Sequence, residues 1–125
     1  MIDFKNSPVF KLKPIKPEEV RADFQKFLID GESIFAAFKT VRDQLVFTNK
    51  RIIAANVKGI TGSKVDYTSL PYSKIQAFSV ETSGTLDLDC EIEITLSELG
   101  ATKFEIKGAF DLLSFNKLIS EHVLA

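Results

Sequence analysis

Hydrophobic and polar residues alternate through the middle of the chain, from Glu32 to Lys107, with the period of two that is typical of β-strands. The clearest run lies between Leu86 and Leu96, where every second residue is apolar and the residues between are four carboxylates and a threonine. An antiparallel strand with one buried and one solvated face has this pattern. The run is longer than an ordinary strand, which favours a strand that bends around a barrel.

Six shorter segments bring the predicted number of strands to seven. Most of the turns between them contain Asn, Gly or Pro, and short strands at this spacing are typical of a barrel or a sandwich. The segments cover residues 34–39, 45–48, 51–57, 64–70, 74–82 and 102–107. In the last of them we expect Phe104 and Ile106 to point inward, with Lys103 and Lys107 outward beside the acidic row.

Helical periodicity appears on both sides of the strand region. Asp111 has the chemistry of an N-cap, and a helix of three or four turns follows it. The apolar stripe of this helix suits the closure of an open barrel end; it consists of Leu112, Phe115, Leu118, Ile119 and Val123. An earlier helix is predicted over residues 17–30, with Gly31 as its C-terminal cap. Its apolar stripe consists of Val20, Phe24, Phe27 and Leu28.

Residues 1–16 contain Pro8 and Pro14, which exclude the interior of a helix. We interpret them as an extended arm that packs along the barrel or reaches a neighbouring molecule. The predicted organisation is an arm and amphipathic helix over residues 1–30 and a barrel over residues 31–125. The two parts form one domain overall, because 125 residues support a single core.

The residue types that carry catalysis are scarce. Cys90 and His122 are the single cysteine and the single histidine, so an intrachain disulfide and a cysteine metal cluster are excluded. Cys90 falls on the apolar face of its strand, where we expect a buried and unreactive thiol. The acidic row spreads along a line, whereas Ca²⁺ needs converging oxygens. The sequence therefore predicts no enzyme, no cofactor and no metal; the enzyme hypothesis depends on Cys90, His122 and the acidic row alone.

A local pattern resembles one protein family. The segment Leu45-Val46-Phe47-Thr48-Asn49-Lys50-Arg51-Ile52-Ile53, followed by Tyr72-Ser73-Lys74-Ile75 and the acidic alternation, is similar to bacterial pleckstrin-homology (PH) domains. The resemblance runs from about Gly31 to the C-terminus. It implies a PH-like, seven-stranded antiparallel barrel or sandwich capped by a C-terminal helix, with the helix over residues 17–30 as an addition. It also implies a non-enzymatic cytoplasmic module that forms ring-like homo-oligomers.

On this reading the partner is another copy of the chain, or another protein. The extra helix is a candidate contact, through Val20, Phe24, Phe27 and Leu28. The chain has 11 phenylalanines, which either build the core or lie partly in such an interface. Neither a signal peptide nor an apolar run of membrane-spanning length is visible, so we expect a cytoplasmic location.

Charge is unevenly distributed along the chain. Residues 1–64 carry 12 Lys and Arg against 7 Asp and Glu, whereas residues 65–125 carry 4 against 10. The two signs could form separate surfaces that dock head to tail, or cancel through cross-strand pairs within the fold. Of these alternatives, cancellation is favoured.

An alternative function is the binding of an anion or a lipid headgroup. Lys39 and Arg42 flank the first hairpin turn, Lys50 and Arg51 occupy the next, and such side chains bind phosphate oxygens. Asp43 lies among them, and the basic motif of eukaryotic PH domains is not reproduced, which disfavours a membrane lipid. Nucleic acid is disfavoured because no aromatic platforms are interleaved with the basic residues.

Overall fold

Eight strands form one continuous sheet in the computed structural model, which describes residues 1–84, 89–108 and 110–125. The strands are β1 (Val9–Ile15), β2 (Ile34–Lys39), β3 (Gln44–Thr48), β4 (Arg51–Lys58), β5 (Lys64–Pro71), β6 (Ile75–Thr82), β7 (Cys90–Leu96) and β8 (Gly100–Ile106). The helices are α1 (Asp23–Phe27) and α2 (Leu112–Val123), and short 3-10 turns lie at Phe4–Asn6, Pro17–Glu19 and Tyr72–Lys74. The order of strands across the sheet is β5-β4-β3-β2-β1-β8-β7-β6.

The eighth strand comes from the predicted arm, so the prediction of seven strands was wrong by one. β1 lies between the two halves of the sheet: its first part pairs parallel with β8, and its last residues pair antiparallel with β2. The sheet is therefore not antiparallel throughout. Leu12 is buried in the core, which draws the arm into the sheet. Pro14 has no N–H to donate. It is tolerated because it lies beyond the part of β1 that pairs with β8, so no hydrogen bond to β8 is lost.

The acidic-apolar alternation marks one buried face of β7, as predicted. Cys90, Ile92, Ile94 and Leu96 are buried, and the residues between them are partly exposed. Phe104 and Ile106 of β8 are fully buried beside them. Leu86, Asp87 and Leu88, which begin the predicted strand, lie outside the described residues.

The C-terminal helix closes the main core, as predicted. Asp111 is its N-cap, and the Asp111 side chain accepts a hydrogen bond from the Ser114 N–H at 3.1 Å. Three residues of the predicted stripe are buried against the sheet, namely Leu112, Phe115 and Ile119. Leu118, in contrast, remains 36% exposed.

A second, smaller core lies on the opposite face of β2–β5. Successive residues of a strand point to opposite faces, and alternate residues of these strands contribute to the two cores. Residues of the segment 17–30 cover this second core, and Phe24 is completely buried in it. The other buried members are Ala37, Val46, Ile53 and Ala55.

The segment 17–30 is not one helix, and that prediction was wrong. A 3-10 turn at Pro17–Glu19 and the five-residue α1 are separated by Val20 in an extended conformation, and Leu28 after α1 is extended too. The Arg21 N–H donates to the Gln44 side-chain oxygen at 2.8 Å, a bond to the sheet in place of one within a helix. Tertiary packing against the sheet has overridden the helical period.

The buried face of β7 gives a test of the fold. Ile92→Asp places an unpaired carboxylate in the main core and should lower the free energy of unfolding by about 4 kcal/mol or more. Glu93→Gln, on the opposite face of the same strand, should change it by less than about 0.5 kcal/mol. Denaturant unfolding followed by circular dichroism measures both, and an equal loss for the two variants would mean that the faces are wrongly assigned.

Candidate functional site

The turn between β3 and β4, where the family-like sequence lies, is built around a buried ion pair. Glu32 is 9% exposed, and its carboxylate faces the Arg51 guanidinium. The Arg51 Nε donates to Oε2 and Nη2 donates to Oε1, both at 3.0 Å, which is the bidentate arrangement. The Thr48 hydroxyl donates to Oε2 at 2.6 Å, and the Ile29 N–H donates to Oε1 at 3.0 Å. Four donors therefore converge on one carboxylate.

The same turn fixes the backbone around it. The Asn49 side chain accepts from the Ser33 N–H at 2.8 Å and donates to the Gly31 carbonyl at 2.9 Å. Tyr72 donates its hydroxyl proton to the Thr48 carbonyl at 2.6 Å. The Thr-Asn-Lys-Arg turn thus joins β3 and β4 to the start of β2 and to the 3-10 turn before β6. We name this set of contacts the Glu32 knot.

Two opposing effects set the acidity of Glu32. Burial raises its pKa, but the hydrogen bonds from Arg51, Thr48 and Ile29, with the positive charge of Arg51, outweigh burial. The result is a pKa of about 2, well below the ordinary 4.5. The charged form is therefore the one that stabilises the fold.

The four predicted anion-binding residues do not meet. Lys39 and Arg42 lie before β3, whereas Lys50 and Arg51 lie after it. The two pairs are therefore separated by the length of this strand, about 17 Å. Arg51 is also engaged within the chain, because it binds Glu32, the Ser69 hydroxyl and the Phe27 carbonyl. Lys50 is exposed at the tip of its turn.

Lys39 instead lies near two lysines of β1. Lys13 is the direct cross-strand partner of Lys39, and Lys11, two residues earlier, points to the same face. With Thr40 and Val41 these lysines line one shallow concavity. We name Lys11, Lys13 and Lys39 the lysine patch. Sequence reasoning missed Lys11 and Lys13, although their spacing of two would have revealed them once the arm was recognised as a strand.

The tip of the adjoining turn is apolar and fully solvated. Val41 is 102% exposed, and Arg42 beside it donates to the Gly59 carbonyl of the turn after β4. That second turn presents Ile60, also 102% exposed. Two solvated aliphatic side chains therefore stand at the same end of the sheet as Lys39.

The predicted oligomer contact is mostly used within the chain. Phe24 is inaccessible, while Val20 and Leu28 are half-buried against the second core. Phe27 is 47% exposed and packs on Tyr67, with ring centroids 4.5 Å apart. Phe27 is thus the member of the stripe that a second molecule can reach without unfolding α1.

Carboxylates line up across the other half of the sheet. Glu81 of β6 is opposite Glu91 of β7, and Glu91 is opposite Glu105 of β8. We name these three residues the acidic ladder. Lys103 approaches Glu91 at 3.6 Å, so the predicted neutralisation by cross-strand lysines occurs in part. Glu105 in turn is the register partner of Lys11, which places the ladder beside the lysine patch.

Cys90 and His122 occupy different surroundings. Burial, with the charge of Asp89, raises the pKa of the Cys90 thiol to about 11, which opposes thiolate formation. The His122 ring stacks on Tyr72 and Phe35 at centroid distances of 5.2 and 5.8 Å. Within residues 1–84, 89–108 and 110–125, no hydrogen bond joins the two side chains, and no cluster of His, Cys, Asp and Glu is arranged to hold a metal.

A strongly bent sheet closed by a C-terminal helix defines the PH-like class of fold. A family model described as "Bacterial PH domain" matches residues 3–123, so the chain belongs to the bacterial PH domain family, as the sequence predicted. The match begins well before Gly31, where the resemblance was expected to start. In the described part of the chain, neither helix has the length and apolarity that a membrane crossing requires.

Named relatives and solved structures agree with this assignment. The uncharacterized protein YjqA of Bacillus subtilis is 42% identical over 103 residues, which cover 81% of this chain and 82% of that protein. A DUF1696 family protein with a pleckstrin-homology domain from Shewanella loihica has a TM-score of 0.74 and 33% identity, covering 91% of this chain and 98% of its own. A pleckstrin homology domain from Shewanella amazonensis has a TM-score of 0.63 and 37% identity, with coverage of 89% and 90%.

The Glu32 knot makes stability depend on acidity. The folded pKa of Glu32 lies below its unfolded value, so its contribution is complete above about pH 4.5 and is lost as the pH falls towards 2. A shift of this size corresponds to about 3 kcal/mol. Glu32→Gln should lower the free energy of unfolding at pH 7 and flatten its acid dependence, whereas Glu18→Gln, at an exposed site, should retain that dependence. Urea unfolding between pH 7 and 2 measures this; parallel curves for wild type and Glu32→Gln would contradict it.

Proposed function

We propose that this bacterial PH domain is a non-enzymatic interaction module that assembles with copies of itself. The observation that carries the proposal is the separation of charge on the outer face of the sheet. The acidic ladder spans β6 to β8, and the lysine patch spans β1 and β2 directly beside it. One molecule therefore presents both signs that a second copy needs.

The acidic ladder is unfavourable in an isolated molecule. Like charges directly opposite on neighbouring strands destabilise a sheet, and here three carboxylates follow one another in register. Lys103 forms a salt bridge with Glu91, whereas no salt bridge of Glu81 or Glu105 occurs among the described residues. Lysines from a second molecule would relieve this repulsion. Lys13 and Lys39 face each other across β1 and β2 and also repel, and carboxylates from a second molecule would relieve that repulsion.

Two further features support assembly rather than catalysis. Cys90 is buried with a raised pKa, and His122 is stacked between aromatic rings, so neither side chain has the surroundings of an activated group. Single exposed apolar residues such as Phe27, Val41 and Ile60 add contact area that a partner can cover. A contact that joins the acidic ladder of one copy to the lysine patch of the next is head-to-tail, and such a contact generates a ring when its rotation closes.

Light scattering on a sizing column tests the assembly. At low salt the mass should be a discrete multiple of 14.0 kDa, and it should fall at 1 M salt, where screening acts within about 3 Å. Glu81→Lys reverses one charge of the ladder and should lower the low-salt mass. Glu121→Lys makes the same change on α2 and should not. A monomer at every concentration and salt would remove the proposal.

As an alternative, we propose an anion-binding function for the lysine patch. The observation that favours it is the cross-strand pair of Lys13 and Lys39 beside the solvated Val41, which combines positive charge with a protruding apolar tip. Surfaces of this composition adsorb to anionic lipids, at about 1 kcal/mol for each Lys near the surface. This site differs from the predicted set, since it retains Lys39, adds Lys11 and Lys13, and leaves out Arg42, Lys50 and Arg51.

Vesicle sedimentation distinguishes this alternative. Wild type should bind phosphatidylglycerol vesicles more tightly than phosphatidylcholine vesicles, and Lys13→Glu with Lys39→Glu should abolish the difference, an effect of about tenfold or more. Lys50→Glu changes a lysine at the other end of β3 and should leave binding unaltered. Equal binding of the two lipids by wild type would exclude the alternative.

A further inference from the structure

We infer that the open edge of β6 is a self-pairing edge: it joins β6 of a second copy as an antiparallel strand, with the two-fold axis passing near Ser79. The inference rests on the proposed self-assembly and names one of its contacts. It concerns backbone pairing at a strand edge, which is distinct from the charge contact between the acidic ladder and the lysine patch.

The position of β6 in the sheet leaves one side of it open. β6 is the last strand in the order and pairs antiparallel with β7 from Ile75 to Thr82. On its other side no described strand is paired with it. Eight residues of edge are longer than an average strand, and natural proteins keep exposed edges short or protect them.

Lysine and proline, two of the usual protections, are absent from this edge, while Glu81 and the bulge at Gln76 lie near its two ends. From Ile75 to Val80 the sequence reads Ile-Gln-Ala-Phe-Ser-Val, without a charged residue, a proline or a glycine. The β5 edge at the other end of the sheet differs, since it carries Lys64 and Asp66 and ends at Pro71. Lysine and proline on an edge discourage pairing with another chain. The two edges are therefore not equivalent, and β6 is the one suited to pairing.

The hydrogen bonds at the ends of β6 show which backbone groups face outward. The Ser83 N–H donates to the Asp89 carbonyl, and the Ala77 carbonyl accepts from the Thr95 hydroxyl on β7. Backbone groups alternate in direction along an antiparallel strand, so those of Ala77, Ser79 and Glu81 face β7. The backbone N–H and C=O groups of Phe78 and Val80 face the open edge, where they can form hydrogen bonds with a second strand.

The side chains select one register. Phe78 and Val80 are half-buried and belong to the main core side of the sheet, whereas Ala77, Ser79 and Glu81 are exposed on the other face. An axis at Ser79 puts Phe78 opposite Val80 of the second copy, so apolar residues meet. It also puts Glu81 opposite Ala77 of the second copy, so no like charges meet. An axis at Phe78 would instead set Val80 against Gln76, the bulged residue between Ile75 and Ala77.

The occupant is therefore a second copy of this chain. The edge is complementary to itself about one residue, as a two-fold contact requires. Because the backbone groups of Ser79 face β7, Ser79 and its symmetry mate form a non-hydrogen-bonded pair, whose Cβ atoms lie about 4.5–5.5 Å apart. Two cysteines at such a pair are close enough to form a disulfide, so cross-linking can measure the register.

Cysteine cross-linking tests the edge and its register together. Ser79→Cys should give a covalent dimer of twice 14.0 kDa under mild oxidation. Ala77→Cys is exposed on the same face of the same strand, but its two copies would lie about 13 Å apart and should link about tenfold more slowly. Ser63→Cys, in the turn before β5, and wild type, with its buried Cys90, should remain uncross-linked.

The outcomes separate this inference from the function on which it rests. A wild-type mass above 14.0 kDa with no faster linking of Ser79→Cys than of Ala77→Cys would overturn the β6 contact and leave self-assembly in place. Faster linking of Ala77→Cys would overturn the register. A wild-type dimer that persists at 1 M salt supports the edge contact, since screening weakens charge contacts between exposed groups most. A monomer without any cross-link would remove both proposals.

Discussion

The bidentate pair between Glu32 and Arg51 is the contact on which the arrangement of the N-terminal third depends. Its carboxylate accepts hydrogen bonds from Thr48 at the end of β3, from Arg51 at the start of β4 and from Ile29 after α1, so three separate segments meet at one charged group. Burying these charges is costly unless every donor and acceptor is satisfied, and here the donors are supplied. Removing either partner would leave the other charge without its partner at a largely buried position.

This pair also explains what the family-like turn contributes. The sequence identifies Thr48-Asn49-Lys50-Arg51 as a mark of the family, and charge alone assigned Arg51 to an anion site. The structure instead gives Thr48, Asn49 and Arg51 internal partners and leaves Lys50 as the exposed member. The partner of Arg51 could not be predicted from the sequence. Glu32 is nineteen positions away in the chain, and the two residues come together only when the strands between them have folded.

Periodicity predicted the fold well where one face of an element decides its packing. β7, β8 and α2 each bury one apolar face, and their buried residues follow from a period of two or of 3.6. It failed for residues 17–30, where apolar residues at helical spacing belong to a segment that is only partly helical and packs against the sheet. It also failed for the arm, where the alternation from Phe10 to Lys13 covers only four residues before Pro14. The lysine patch and the acidic ladder depend on register between distant strands, so neither could be found before the strand order was known.

The place of β1 has a consequence for how the protein is made. β1 joins β2–β5 to β6–β8, and it does so by lying parallel to β8, a strand more than eighty residues later in the chain. A ribosome releases β1 long before its neighbour exists, so Leu12 stays uncovered in the nascent chain until β8 has been synthesised. Closing so large a loop is entropically slow, and we expect the union of the two halves to be the late step of folding.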